Sequence, residues 1–183
     1  MPEILPLTRF GNPVLREQTK QLTIEEIESD DIQSLIGNMA YTLVEQNYGV
    51  GIAAPQVGRA VALSVIGVKP TPNRPELEPF NTTIINPSIT ETFGDKTPMW
   101  EACISCGEAT SLLFAQVPRF EKITLNWLDE TAKPREAVLG GFVAHVVQHE
   151  VDHLNGVLFV DRVEDPTTYM MSDEYRARIV NPT

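Results

Sequence analysis

Apolar residues recur three and four apart at Ile32, Leu35, Ile36, Met39, Leu43 and Val44, directly behind Asp30 and Asp31. That spacing places one apolar stripe along a helix whose start is capped by an acidic residue and whose end is expected near Asn47 and Tyr48. The period then changes. Runs rich in apolar and β-branched residues at 61–68, 83–86, 111–117, 122–128 and 136–139 are separated by Pro, Gly or Asp-Glu turns and predict short strands. From Gly141 to Leu154 the helical period returns, with Phe142, Val146, Val147, His149, Glu150 and His153 on overlapping faces. Strands lying between a longer N-terminal helix and a C-terminal one give an α+β fold, with short antiparallel sheets around the C-terminal helix.

Composition narrows the function without naming it. A chain of 183 residues with 42% hydrophobic and 21% charged residues is read as one globular domain spanning 1–183. At this length folding buries about 70% of the unfolded chain's surface, so the core needs no disulfide or structural metal, and a metal here is expected to be functional. The net charge of −11 is opposite in sign to a nucleic-acid footprint, so no DNA partner is expected. Residues 1–10 lack the basic start and apolar stretch of a secretory signal. The longest apolar stretch, 138–147, contains two glycines and a histidine and falls far short of the roughly 20 residues that cross a bilayer. A cytoplasmic protein without a membrane partner is therefore expected. The proline-rich segment 69–79 is read as a loop.

Chemistry enters at Gln148-His149-Glu150-Val151-Asp152-His153. Residues four apart on a helix share a face, so His149 and His153 can reach one metal ion while Glu150 projects toward a water bound to it. A catalytic site of this type takes three protein ligands and leaves one position open. His145 stands eight residues before His153, about 12 Å along the axis, too far to share an ion, and is expected in a second layer or at the surface. The sequence has only two cysteines, Cys103 and Cys106, and the thiolate of Cys103 suits a soft or borderline ion. The ligand set read from residue types is Cys103, His149 and His153. Earlier in the chain, the small residues of Gly49-Val50-Gly51-Ile52-Ala53-Ala54-Pro55-Gln56 allow backbone to approach a substrate, and Gln56 can point an amide donor into the same cleft.

GVGIAAPQ at 49–56, EACIS at 101–105 and QHEVDH at 148–153 stand in the order and rough separation of the three signature motifs of the peptide deformylase family, which the chain closely resembles. The likeness extends from FGNPVLR at 10–16 through INP at 85–87 and VPR at 117–119 to LFVD at 158–161. It implies a metal-dependent hydrolase that removes the N-formyl group from the N-terminal methionine of newly made proteins and releases formate. It also implies that Cys103, His149 and His153 hold the ion, that Glu150 is the catalytic carboxylate, that Gln56 and the backbone N–H of Ile104 form the oxyanion hole, and that Gly51 lines the peptide groove. The implied metal is Fe²⁺, with Zn²⁺ or Ni²⁺ as substitutes, and the implied partners are formyl-methionyl nascent peptides and the ribosome. The middle motif usually reads Glu-Gly-Cys-Leu-Ser, so Ala102 and Ile104 differ from it, and 106–116 runs a few residues longer than in the family.

Two other readings stay open on sequence alone. One is a related protein that acts on another N-acyl group or is inactive. The other is a structural zinc protein closed by Cys103, Cys106, His149 and His153. Ile104 favours an extended run over 101–106, in which side chains three apart face opposite ways, so Cys106 is expected to turn from the ion as a small packing residue. Asp152 is expected to be buried against Arg119, supporting the layer behind the ligands.

Overall fold

A computed structural model describes residues 1–46, 49–71, 74–108 and 111–181. Two helices open the chain, α1 (Ile24–Ile27) and α2 (Asp30–Gln46). They are followed by β1 (Gly51–Ala53), β2 (Leu63–Val68), β3 (Phe80–Ala102), β4 (Leu113–Leu128) and β5 (Pro134–Gly140). Helix α3 (Gly141–Leu154) comes next, and β6 (Met170–Met171) and the single turn α4 (Ser172–Tyr175) close the set. The predicted end of α2 at Asn47 and Tyr48 lies outside the described residues, as do Pro72 and Asn73 of the predicted loop and Ala109 and Thr110 of the longer segment. No helix among the described residues is long and apolar enough to cross a membrane.

The α+β reading holds, with strands that form one antiparallel sheet in the order β1-β2-β3-β4-β5, and β6 paired to β4. Strand β2 shows how the sheet builds two cores. Its side chains alternate, so Leu63 and Val65 join the apolar cluster of Ile32, Leu35, Met39 and Leu43 from α2. Ile66 and Val68 join Ile84, Ile123 and Leu125 beneath Ala144, Val146 and Val147 of α3. The sheet is therefore covered by α2 on one face and α3 on the other.

Two strands are far longer than the sequence predicts. β4 joins the runs at 111–117 and 122–128 into one strand, and β3 continues from the run at 83–86 to Ala102. The polar, exposed stretch around Thr92 and Gly94 and the prolines at 98 and 118 carry no strand signal. Pairing supplies the order that local sequence withholds. Pro98 and Pro118 stand directly opposite each other, a placement open to proline where its missing N–H would have faced out of the ladder. Register shifts between Ile85 and Ser88, Ile89 and Glu91, and Phe93 and Lys96 absorb the mismatches. The long ladder has a functional consequence, since its end carries Glu101 and Cys103 to the side of α3. Helix α3 ends at Leu154, and two residues on Gly156 takes a left-handed φ of +70° at a position where a Cβ would run into the backbone of Arg16.

Candidate active site

Strand β3 ends at Ala102 and the chain turns at once, with the Cys106 N–H donating to the Cys103 carbonyl at 2.8 Å. This turn presents the Cys103 thiol to α3. One ligand atom from each of Cys103, His149 and His153 lies within 4.8 Å of the others. Cys103 Sγ is 3.3 Å from His153 Nε2, and the two imidazole rings meet edge to face at 4.9 Å between centroids. Cys103 and His153 are buried, and His149 keeps 11% of its side chain exposed, so the cluster opens to the exterior on one side only. His145 is outside the cluster, as its spacing requires, but it is buried rather than at the surface.

Glu150 lies beside the cluster, buried, with Oε2 lacking any partner among the described residues. Burial pushes its carboxyl up to about 7. A Cβ at Gly51 would come within 2.8 Å of Glu150 Cδ, so only glycine lets β1 pass this close to the carboxylate. Gln56 is fixed from behind: its Oε1 accepts from the Ala53 N–H at 2.8 Å, which turns Nε2 toward Cys103 Sγ and Ser105 Oγ, each 3.3 Å away. Ile104 is buried in the turn beside them. The sequence-predicted residues Gly51, Gln56, Cys103, Ile104, His149 and Glu150 all line one cavity of about 680 Å³, with His153 buried beneath it.

Behind the ligands runs an ionic chain that the sequence reading identified only in part. Asp152 is buried and accepts from Arg119 Nη1 at 2.5 Å, as expected, and also from Arg162 Nη2 at 2.7 Å. Arg119 in turn donates to both oxygens of Glu101 through Nε at 2.7 Å and Nη2 at 3.2 Å. Glu101 is the group that touches the ligand: its Oε2 is 2.8 Å from His149 Nδ1, and its Oε1 is 2.6 Å from His145 Nε2. Burial opposes ionisation of Glu101, but His149, His145 and Arg119 outweigh it and hold the carboxyl well below its usual range. Sequence reasoning passed over Glu101, although residues two apart in extended chain face the same side, so a ligand at Cys103 already pointed to it.

Cys106 packs outside the cluster, as expected, but the extended path expected for 101–106 needs correcting. Residues 103–106 form a turn, not an extension of the strand, and the neighbouring Cys106 thiol together with burial raises the Cys103 thiol well above its ordinary value. Ser105 and Cys106 reverse direction because Arg9 holds the turn from outside, donating to the carbonyl oxygens of Ile104 at 3.2 Å and Gly107 at 2.6 Å. Cys106 is half-buried against Ala115, Val117 and Phe159, and it stands apart from the three converging ligand atoms.

The donor chemistry fits a borderline divalent ion: one thiol and two imidazoles converge in a largely buried site, beside a buried carboxylate with an unsatisfied oxygen. An α+β fold that holds an HExxH helix against such a set defines the class of metal-dependent hydrolases. Within that class, the family model for polypeptide deformylase matches residues 4–169. The chain belongs to the polypeptide deformylase family, metal-dependent enzymes that remove N-formyl groups from nascent peptides. It is 37% identical to peptide deformylase 2 of Nostoc sp. over 185 residues, covering 100% of this chain and 98% of that protein. Peptide deformylase of Leptospira biflexa is 34% identical, covering 92% of each chain. Among solved structures, a class I type b peptide deformylase from Acinetobacter baumannii bound to Met-Ala-Ser superposes with a TM-score of 0.81 at 34% identity, covering 89% of this chain and 100% of that one.

Proposed function

We propose that Cys103, His149 and His153 hold one divalent ion and that Glu150, Gln56 and the Ile104 N–H carry the remaining chemistry of deformylation. The observation that carries this reading is the convergence of the three ligand atoms within 4.8 Å beside a buried carboxylate that is not one of them. When bound, the ion supplies a nucleophile at neutral pH, by lowering the pKa of water from 15.7 to about 7, and polarises the formyl carbonyl. Fe²⁺ is the proposed native metal, with Zn²⁺ or Ni²⁺ as substitutes that the same thiolate and imidazoles accept.

The protein's own groups do the rest. Gly51 leaves room for Glu150 to face the cavity, where its carboxylate takes the proton of the attacking water and returns it to the leaving amine. Gln56 Nε2, locked by the Ala53 N–H, and the Ile104 N–H are the donors for the oxygen on which negative charge develops, each worth about 2.7–4 kcal/mol in sites of this kind. Glu101 fixes the ring of His149, and Arg119 and Asp152 fix Glu101. The products are formate and a peptide with a free N-terminal methionine. Both apolar clusters share one sheet, which supports treating 1–183 as a single catalytic domain. A nascent-chain substrate sets the reaction in the cytoplasm beside the ribosome, which cosedimentation with ribosomes tests.

The direct test is Glu150→Gln. The variant is expected to bind about one metal per chain while formate release from a formyl-Met peptide falls by about 10²–10⁴. Ordinary turnover in that variant would overturn the assignment.

A further inference from the structure

The cavity extends well beyond the ligands, and its far wall comes from a part of the chain that the family model, ending at residue 169, does not match. Met170 and Met171 pair with Phe114 and Leu113 of β4, which returns the chain to the sheet edge beside the site. The turn of α4 then sets Tyr175 flat on Phe114, with ring centroids 4.1 Å apart and planes 6° from parallel. Trp100 meets the same tyrosine edge-on at 5.4 Å. Trp100, Phe114, Tyr175 and, one turn further on, Ile179 all line the cavity that contains Glu150 and His149. Ile179 is 41% exposed, a large apolar side chain left open at the cavity wall.

The position of this cluster follows from the ladder. Phe114 stands directly opposite Ala102, and Trp100 shares a face with Ala102 because the two are two residues apart. Ala102 immediately precedes Cys103, so the aromatic surface adjoins the ligand turn. Trp100 is three residues from Cys103, about 10 Å along a strand. An extended peptide advances about 3.3–3.6 Å per residue, so a substrate whose formyl group lies at the ligands has its second and third side chains within reach of these rings. The occupant is fixed by continuity: the peptide leaving the reacting bond has to pass through the same cavity.

We propose that the C-terminal segment Met170–Val180 supplies a specificity wall, in which Tyr175, held on Phe114 and Trp100, binds apolar or aromatic side chains at the second and third positions of the formyl-methionyl substrate. Tyr175 acts by contact area and ring stacking, and it takes no part in proton transfer. The proposal rests on the deformylase reading of the site.

The test compares formyl-Met-Gly-Gly, formyl-Met-Phe-Gly and formyl-Met-Gly-Phe on the metal-loaded enzyme, with the affinities of the deformylated products measured in parallel by titration. The protein is expected to favour a phenylalanine-containing peptide over formyl-Met-Gly-Gly by about three- to tenfold in kcat/KM, through KM, as ring stacking allows. Tyr175→Ala should abolish that preference, lowering kcat/KM for the Phe-containing peptide about three- to tenfold more than for formyl-Met-Gly-Gly, and weaken binding of the Phe-containing product by the same factor. Tyr175→Phe should restore both. An equal loss on all three peptides in Tyr175→Ala, or an undiminished preference, overturns the proposal. Absence of formate from every peptide with the unsubstituted protein would instead strike the deformylase reading, and the product titrations would still decide the role of Tyr175.

Discussion

The two faces of the sheet bury different things. Helix α2 turns Ile32, Leu35, Met39 and Leu43 inward with Thr42 as its sole buried polar residue, and Thr42 is satisfied by the Asn38 carbonyl and the Leu5 N–H. Helix α3 buries His145, Gln148, Glu150, Asp152 and His153 among its apolar residues. An apolar face gains free energy from each group it removes from water, roughly 25 cal/mol per Å². A buried charge is tolerated only with partners. The α3 side meets that demand with one connected chain, His149 to Glu101 to Arg119 to Asp152 to Arg162, in which each member compensates the next. Glu150 Oε2 is left out of the chain and has no partner among the described residues, as the proposed proton transfer at this carboxylate requires. The α2 face is almost wholly apolar, whereas the α3 face adds the polar groups of the site to an apolar core of its own, with β2 and β3 as the shared partition.

The sharpest way to break this contrast is to cut the ionic chain at its centre. Arg119→Met leaves Glu101 and Asp152 buried without their main counter-charge. It is expected to destabilise the fold by about 3–5 kcal/mol and to weaken metal affinity by about 10–100-fold, read by denaturant unfolding and metal titration. Met39→Ala makes the opposite test on α2, where the side chain is fully buried. It should cost about 2–5 kcal/mol through the cavity it leaves, with metal affinity and turnover of the folded protein unchanged. A loss of metal affinity in Met39→Ala would show that the two faces are not independent.

The smallest effect concerns a carboxylate far from the site. Asp129, in the turn between β4 and β5, accepts from the Thr131 and Lys133 N–H groups and from the Arg135 guanidinium. Burial opposes its ionisation, but these donors prevail and hold the carboxyl below its usual range. A depressed carboxyl stabilises the fold above the unfolded pKa of about 3.9 and loses that contribution as pH falls further. Asp129→Asn keeps a side-chain oxygen that accepts from the Thr131 and Lys133 N–H groups and removes the charge. It should lower Tm by about 2–4 °C at pH 7, and the gap should narrow below about pH 4. A gap independent of pH would mean that the charge contributes nothing.

Much of the site was legible because its signals are local. His149, Glu150 and His153 lie within one helical turn of each other, and both ends of α3 match the expected Gly141 and Leu154. Glu101 and the turn at Cys103 were harder to read. Residues 101–106 were expected to be extended, yet Arg9, some hundred residues earlier in the chain, donates to the carbonyls of a turn that still keeps Cys106 out of the cluster. The length of β3 was hidden for a similar reason: Gly94 and Pro98 carry no strand propensity, and their order comes from pairing with β4.

By itself the sequence determined α2 and α3, the strand run of β2, and the shared helical face of His149, Glu150 and His153, since helical period, residue type and four-residue spacing act between near neighbours. Only the tertiary structure decided that a turn, not a strand, brings Cys103 to α3, that Glu101 rather than Asp152 touches His149, that Gly51 is small for the sake of Glu150, and that Tyr175 reaches the same cavity. The contacts behind these join residues 46 or more positions apart, and their geometry depends on sheet register. A one-residue slip in register moves every side chain of a strand to the other face, and no local pattern encodes that choice.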